Sequence, residues 1–374
     1  MKLTALGSGY YRVFKDGVEV SKHTSEREAV EAATNLEIAD PSKAITYKHD
    51  YEVKVESEVA TPIPVPTPIP PAPVNPIILY SPTSIWNTKL ADNAPVHPNS
   101  VGFVSEISAI NRISGPWVNI GTPFYIVKNS DLKVPIFLTD ANNAASPIGQ
   151  EIAQGINIPA NLVGSQVDSD KSCAIYNVDI DKEYNIWQLT FNTTKNRYEG
   201  VSAGILPNAS KSDGTFTRYA YWNSVRAGHT PLGAGMDMKK ELDNGVLPHV
   251  GALALGRAKN TFVYPCKSSD GWESGINSIP EGTRIRFPYD ISINTGWCPY
   301  VKMKVTQGRD YGFIPVDKTG NSNVFYIEGM AQYGVTNGYD YLKTKFCDNK
   351  DLWDVLGSKN FDTQFPWTKL EVVA

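Results

Sequence analysis

A run of alternating proline, residues 61–76 (TPIPVPTPIPPAPVNP), constrains this chain more than any other feature. Eight of its sixteen residues are proline. Each fixes φ near the polyproline value and removes a backbone donor, so neither helix nor sheet can run through the segment. At ~3.1 Å per residue the run would reach roughly 50 Å when extended, the behaviour of a stiff spacer. It divides the sequence into a head (residues 1–60), a linker (61–76) and a body (77–374).

With 41% hydrophobic residues, 11% aromatics and a net charge of −4, the sequence is that of a globular protein without a basic stripe. Nucleic acid is therefore not the expected partner. No apolar run approaches the ~18 residues that a membrane helix needs, so no membrane partner is expected. The first residues, MKLTALGSGYYRVFKDG, lack the continuous apolar stretch of a secretory signal. The four cysteines, Cys173, Cys266, Cys298 and Cys347, all fall in the body without a C-x-x-C pair. They read as small buried apolar residues. A Cys266–Cys298 disulfide is the alternative if the protein works outside a cell.

In the head, Tyr10 to Lys22 alternates around Lys15-Asp16-Gly17, the signature of a β-hairpin. Ser25 and Glu28 form a capping box that opens a helix with Val30, Ala33 and Leu36 on one face. Ala44 to Glu56 alternates again as a third strand, which gives a small ββαβ, α+β module. His23 and His49 are read as surface or core groups rather than ligands.

The body expectation is mainly β, a sandwich or jelly-roll. Short candidate strands recur between turn residues: 122–127, 133–138, 173–178, 184–191, 261–264, 283–287 and 323–327. Helical signals are few: 236–242, 352–356, and a helix ending near 307–312. No P-loop, dinucleotide turn, H-E-x-x-H or G-x-S-x-G word is present.

Chemistry concentrates in residues 226–257. His229 and His249 are two of three body histidines, His97 being the third. On a helix over 236–242, Asp237 and Glu241 would stand at i and i+4 and share a face. Paired carboxylates are what glycosidic hydrolysis needs, and histidine is the natural acid or base at neutral pH. Asp179, at a strand end, is a further candidate carboxylate. Trp187, Gln188, Trp222, His229, Arg257, Tyr264 and Trp272 are the candidate substrate-binding groups, the aromatics as stacking surface for sugar rings. Each of these has a plainer reading as a solvated or core side chain. Asp168 and Asp170 resemble a fragment of a calcium loop without its glycine or distal Glu. No cofactor or histidine-based metal site is expected, and carboxylate-bound calcium is left open.

Two resemblances add to these readings. Tyr11-Arg12-Val13, Lys15 to Ser21, His23, Ser25 to Ala29 and His49 to Val53 resemble a module near the N-termini of tailed-phage structural proteins. It implies attachment of residues 1–60 to a virion or scaffold. Ser84 to Asn87, Pro95 to Ser100, Gly245 to Ala254, Pro280 to Arg286 and Phe365 to Trp367 resemble a largely uncharacterised family of secreted bacterial proteins from carbohydrate-rich contexts. That family places an acidic residue before a G-x-I-x-H-A-L-like word. Glu241 and His249 take those places here, with Val250 and Gly251 interrupting the word.

The combined expectation is a virion-borne or extracellular enzyme that degrades a polysaccharide. A hydrolase would draw its carboxylates from Glu241, Asp237 and Asp179. A lyase would use His249 or Tyr264 as base and Arg257 to neutralise a uronate. The acidic balance tilts the expectation toward hydrolysis. The alternatives are a glycan-binding tail or adhesion protein without catalysis, and a purely structural virion protein.

Overall fold

The computed structural model describes residues 2–6, 11–15, 18–23, 45–49, 52–56, 79–109, 115–116, 121–165, 170–216, 224–320, 322–333 and 364–374. It divides into two compact units, Met1–Val74 and Asn75–Ala374. The expected helix over 25–36, the proline run, Asp168, Trp222, Cys347 and the expected helix over 352–356 lie outside the described residues.

In the first unit, Tyr11–Lys15 pairs antiparallel with Val18–His23. Lys15 stands opposite Val18, as a two-residue Asp-Gly connection requires. Ile45–His49 adds to the other edge of Tyr11–Lys15. The single strand expected over 44–56 is in fact two. Its second half, Glu52–Glu56, leaves the hairpin and pairs with Lys2–Leu6.

In the second unit strand outweighs helix, as the alternating patterns imply. A four-stranded sheet runs in the order Ser202–Pro207, Lys182–Trp187, Cys173–Asn177, Phe124–Val127. Its last pair is parallel and the others antiparallel. A six-stranded mixed sheet runs Glu371–Val372, Ile285–Arg286, Phe313–Lys318, Gly251–Leu255, Val324–Phe325, Gly115–Pro116. Its two longest strands, Gly251–Leu255 and Phe313–Lys318, are parallel.

Strand period decides where the cores sit, because successive side chains point to opposite faces. Cys173 and Ile175 enter one cluster, with Ile136, Ile152 and Ile186. Ala174 and Tyr176, which alternate with them, enter a second with Trp86 and Phe216. From the six-stranded sheet, Ala252, Ile314 and Val316 join that second cluster, while Leu253, Leu255 and Phe313 face a third. The middle cluster is thus shared by the two sheets. Both sheets are buried on both faces, which accounts for the unbroken burial of Cys173–Asn177 and Gly251–Leu255.

The third cluster is built on aromatic rings. Phe313 and Phe325 approach to 4.9 Å between centroids, and Phe325 and Phe365 to 5.4 Å. Burying each ring is worth ~1.5–3 kcal/mol in transfer free energy. Against them packs the helix Pro299–Asp310, with proline in its first turn and Tyr311 as C-cap. Gly312 follows at φ +79, a conformation that frees the chain to enter the next strand. Among the described residues no helix is long and apolar enough to cross a membrane.

Candidate active site

The site is organised by a short helix, Lys239–Asn244, that begins later than its sequence suggests. Met238 is its N-cap, in extended conformation, and Asp237 lies before it in a β-bridge with Ile327. Asp237 and Glu241 therefore do not share a helix face, and the expected i, i+4 carboxylate pair is not formed. The strand bridge wins because Asp237 donates to the Tyr326 carbonyl and accepts from Glu328 through its main chain.

Asp237 is fully buried in an ion pair. Lys304 Nζ reaches its two carboxylate oxygens at 3.2 and 3.0 Å, and Tyr300 donates its hydroxyl at 3.0 Å. Lys304 also donates to Gln307 Oε1 at 2.6 Å and lies 4.1 Å from the Phe325 ring centroid. Burial lowers the lysine's pKa, opposed by Asp237 and Glu241. Both side chains of this pair are closed off from solvent, which fits a structural element.

Glu241 folds back over the helix start and accepts from the Met238 N–H at 3.0 Å. The same oxygen faces His249 Nε2 at 3.0 Å. His249 Nδ1 lies 2.8 Å from the Val250 carbonyl, which can only accept. Both ring nitrogens thus donate, the hydrogen-bond pattern of an imidazolium. Burial works against that charge, but the Glu241 carboxylate and its hydrogen bond outweigh it, raising the pKa to about 9.

A second carboxylate completes the group. Glu328 accepts from the Lys239 N–H at 2.7 Å, and from Gln332 and Tyr333 on its other oxygen. Consecutive main-chain amides, Met238 and Lys239, therefore hold Glu241 and Glu328 as neighbours. Burial raises the Glu328 pKa to about 7 despite these donors, with the Glu241 charge adding to the rise. Both carboxylates line a cavity of about 320 Å³ together with Phe124, Tyr125 and Lys240. Glu241 also lines a second cavity, of about 290 Å³, with His249, Tyr80 and Trp86.

The wall of that second cavity is set by buried polar groups. Glu183 accepts from Tyr80 Oη at 2.8 Å, Asn185 Nδ2 at 2.8 Å and the Gly233 N–H at 3.1 Å. Burial raises its pKa, and these donors oppose the rise. Arg226, also buried, donates to the carbonyls of Pro231, Leu232 and Ala234 at 2.9–3.1 Å. Tyr326 stacks beneath its guanidinium at 4.3 Å. At Gly235, φ is +70 and a Cβ would meet Ala252 N at 2.5 Å, so glycine is required where this loop crosses the sheet.

The remaining candidates lie elsewhere. Asp179 is exposed and accepts from the Asn129 N–H. Trp187 donates to Asp170, and Gln188 turns the chain at φ +54. Arg257 pairs with Glu106 at 3.0 Å, and His229 contacts Ser268. Tyr264 and Trp272 are exposed, 55% and 56%, with Lys318 over the Trp272 ring. None of these lines the two cavities around Glu241. Cys266 is a buried free thiol, so the Cys266–Cys298 pairing is not made; Cys298 is disulfide-bonded to another cysteine. Among the described residues no group of three or more His, Cys, Asp or Glu side chains is arranged to hold a metal ion.

Glu328 and Lys304 are the site's contributors that sequence reasoning misses. Glu328 had one available signal, its place directly after the expected strand over 323–327. Comparison with known protein families, curated proteins and solved structures finds no match to this chain.

Proposed function

We propose that the chain is a polysaccharide-degrading glycoside hydrolase, with Glu328 as general acid and Glu241 as base or nucleophile. One observation carries this reading: two carboxylates, tied to consecutive amides, line one cavity in different surroundings. Glu328 holds its proton near neutral pH, while His249 supplies a positive charge beside Glu241. A carboxyl to protonate the leaving oxygen and a carboxylate to attack, or to activate water, are the two parts glycosidic cleavage requires. In the first step the Glu328 proton passes to the glycosidic oxygen as the bond to the anomeric carbon breaks. The anomeric carbon forms its new bond either to a Glu241 oxygen or to the oxygen of a water whose proton Glu241 accepts.

A lyase with His249 as base fits less well, since a ring donating through both nitrogens has no lone pair to accept a proton. The sandwich-like, jelly-roll-like body, the attachment role of residues 1–60 and a virion or extracellular setting belong to the same proposal. The Cys298 disulfide favours that setting, because such bonds persist in oxidising compartments. Glycan binding without cleavage is a second reading, favoured by the exposed rings of Tyr264, Trp272 and Tyr289.

The test is product release from a panel of neutral and uronic-acid polysaccharides by wild type, Glu241→Gln, Glu328→Gln and His249→Ala. Reducing ends without absorbance near ~235 nm, lost about 10²-fold or more in both glutamate variants, are the expected result. Unsaturated products would replace the hydrolase with a lyase. Binding without any product would leave the adhesion reading.

A further inference from the structure

Glu241 does not sit at the end of a pocket. It lines the 320 Å³ cavity on one side and the 290 Å³ cavity on the other, and Leu79 and Met238 also belong to both. The second cavity in turn shares Pro248 and Tyr311 with a third, of about 360 Å³. Three cavities thus abut in series, with the Glu241–His249 pair at an inner junction. An enzyme that removes units from a chain end needs a closed pocket on one side of its carboxylates. Here space continues on both sides.

The third cavity is suited to hold sugar rather than to react with it. Tyr311 presents a part-exposed ring at the shared wall, and Lys89 Nζ lies 5.4 Å from the ring centroid. The ring and the ammonium over it together offer a pyranose apolar surface and a hydrogen-bond donor. Lys302, which donates to the Thr295 carbonyl at 2.7 Å, and Gln307 also line this cavity. None of its lining residues is Glu241, His249 or Glu328.

We infer that the three cavities form one trough that holds a polysaccharide on both sides of Glu241, with Tyr311 as a platform where the second and third cavities meet, so that cleavage is internal to the chain. This rests on the hydrolase reading for the cleavage, but the trough itself is a binding property.

Two measurements separate them. On a polysaccharide that wild type cleaves, viscosity should fall well ahead of reducing-end release, and oligosaccharides of several lengths should be the first products. Tyr311→Ala and Lys302→Ala should raise the KM for polymer, at least tenfold for the tyrosine. Single sugars as the earliest product, or unchanged KM and product lengths in both variants, would overturn the inference. The second measurement is calorimetric titration of Glu241→Gln with neutral and uronic-acid disaccharides and hexasaccharides. The hexasaccharide of the recognised sugar should bind at least tenfold tighter, and that gain should shrink when Tyr311→Ala or Lys302→Ala is added. Equal affinity for both lengths, or no binding of either, would overturn the trough. If wild type cleaves nothing while the length dependence persists, the hydrolase reading fails and the trough stands. A melting curve for each variant identifies any that does not fold, and Lys302→Ala then carries the test alone.

Discussion

Glu241 Oε2 lies 3.0 Å from His249 Nε2, and the other ring nitrogen of His249 is directed at a carbonyl 2.8 Å away. The pair fixes the histidine's protonation from both sides. It also gives the site a cation that is not itself a proton acceptor.

Stability should therefore carry a histidine signature on the alkaline side. The His249 pKa is raised from 6.5 to about 9, with burial opposing and Glu241 prevailing. A raised folded-state pKa contributes stability that is complete below the unfolded value and is lost as pH rises through about 9. The loss is at most ~3 kcal/mol. Melting temperature measured across that range should fall in wild type and fall less in Glu241→Gln, which removes the counter-charge.

Glu328 sets the opposite kind of dependence, one of rate. A general acid must carry its proton, so activity should decline as pH rises through about 7, where burial places this carboxyl. Glu328→Gln should lower kcat by ~10²-fold or more and abolish that limb of the profile. A profile identical in the variant would remove Glu328 from the acid role.

Asp237 and Lys304 should behave as a structural pair. Asp237→Asn leaves a buried lysine without its counter-charge and should cost ~3–5 kcal/mol in urea unfolding. The double variant Asp237→Asn/Lys304→Met, which removes the charge as well, should recover much of that loss. If the single variant instead unfolds like wild type but loses all turnover, Asp237 has a chemical role after all.

Reduction should weaken the body. Cys298→Ser, or treatment with a thiol reductant, should lower stability by ~2–4 kcal/mol. Cys173 and Cys266, both buried, should react with a thiol reagent only after unfolding. Mass spectrometry before and after reduction distinguishes the bonded cysteine from the free ones.

Much of the strand content was legible because period-two alternation and turn residues report it directly. The strands Cys173–Asn177 and Phe124–Val127 fall within one or two residues of the expected limits, and the helix ending at Asp310 stops where Gly312 suggests. Gly251–Leu255 escaped, since a strand buried on both faces does not alternate. Lys304 escaped for a related reason: in the polar stretch Lys302 to Asp310 a lysine reads as a solvated face, and only its distant partner Asp237 makes burial tolerable. Glu241 and His249 were legible as a pair through eight residues of local sequence. Glu328 was not, because the amide that anchors it is separated from it by 89 residues.

The Arg226 guanidinium shapes residues 231–234 through main-chain carbonyls alone. Carbonyl acceptors are the same whatever side chain the residue bears. The loop's path is therefore set in part through groups that every residue carries. One buried arginine thus fixes the path of the loop that carries Gly233 and Gly235 to the second cavity.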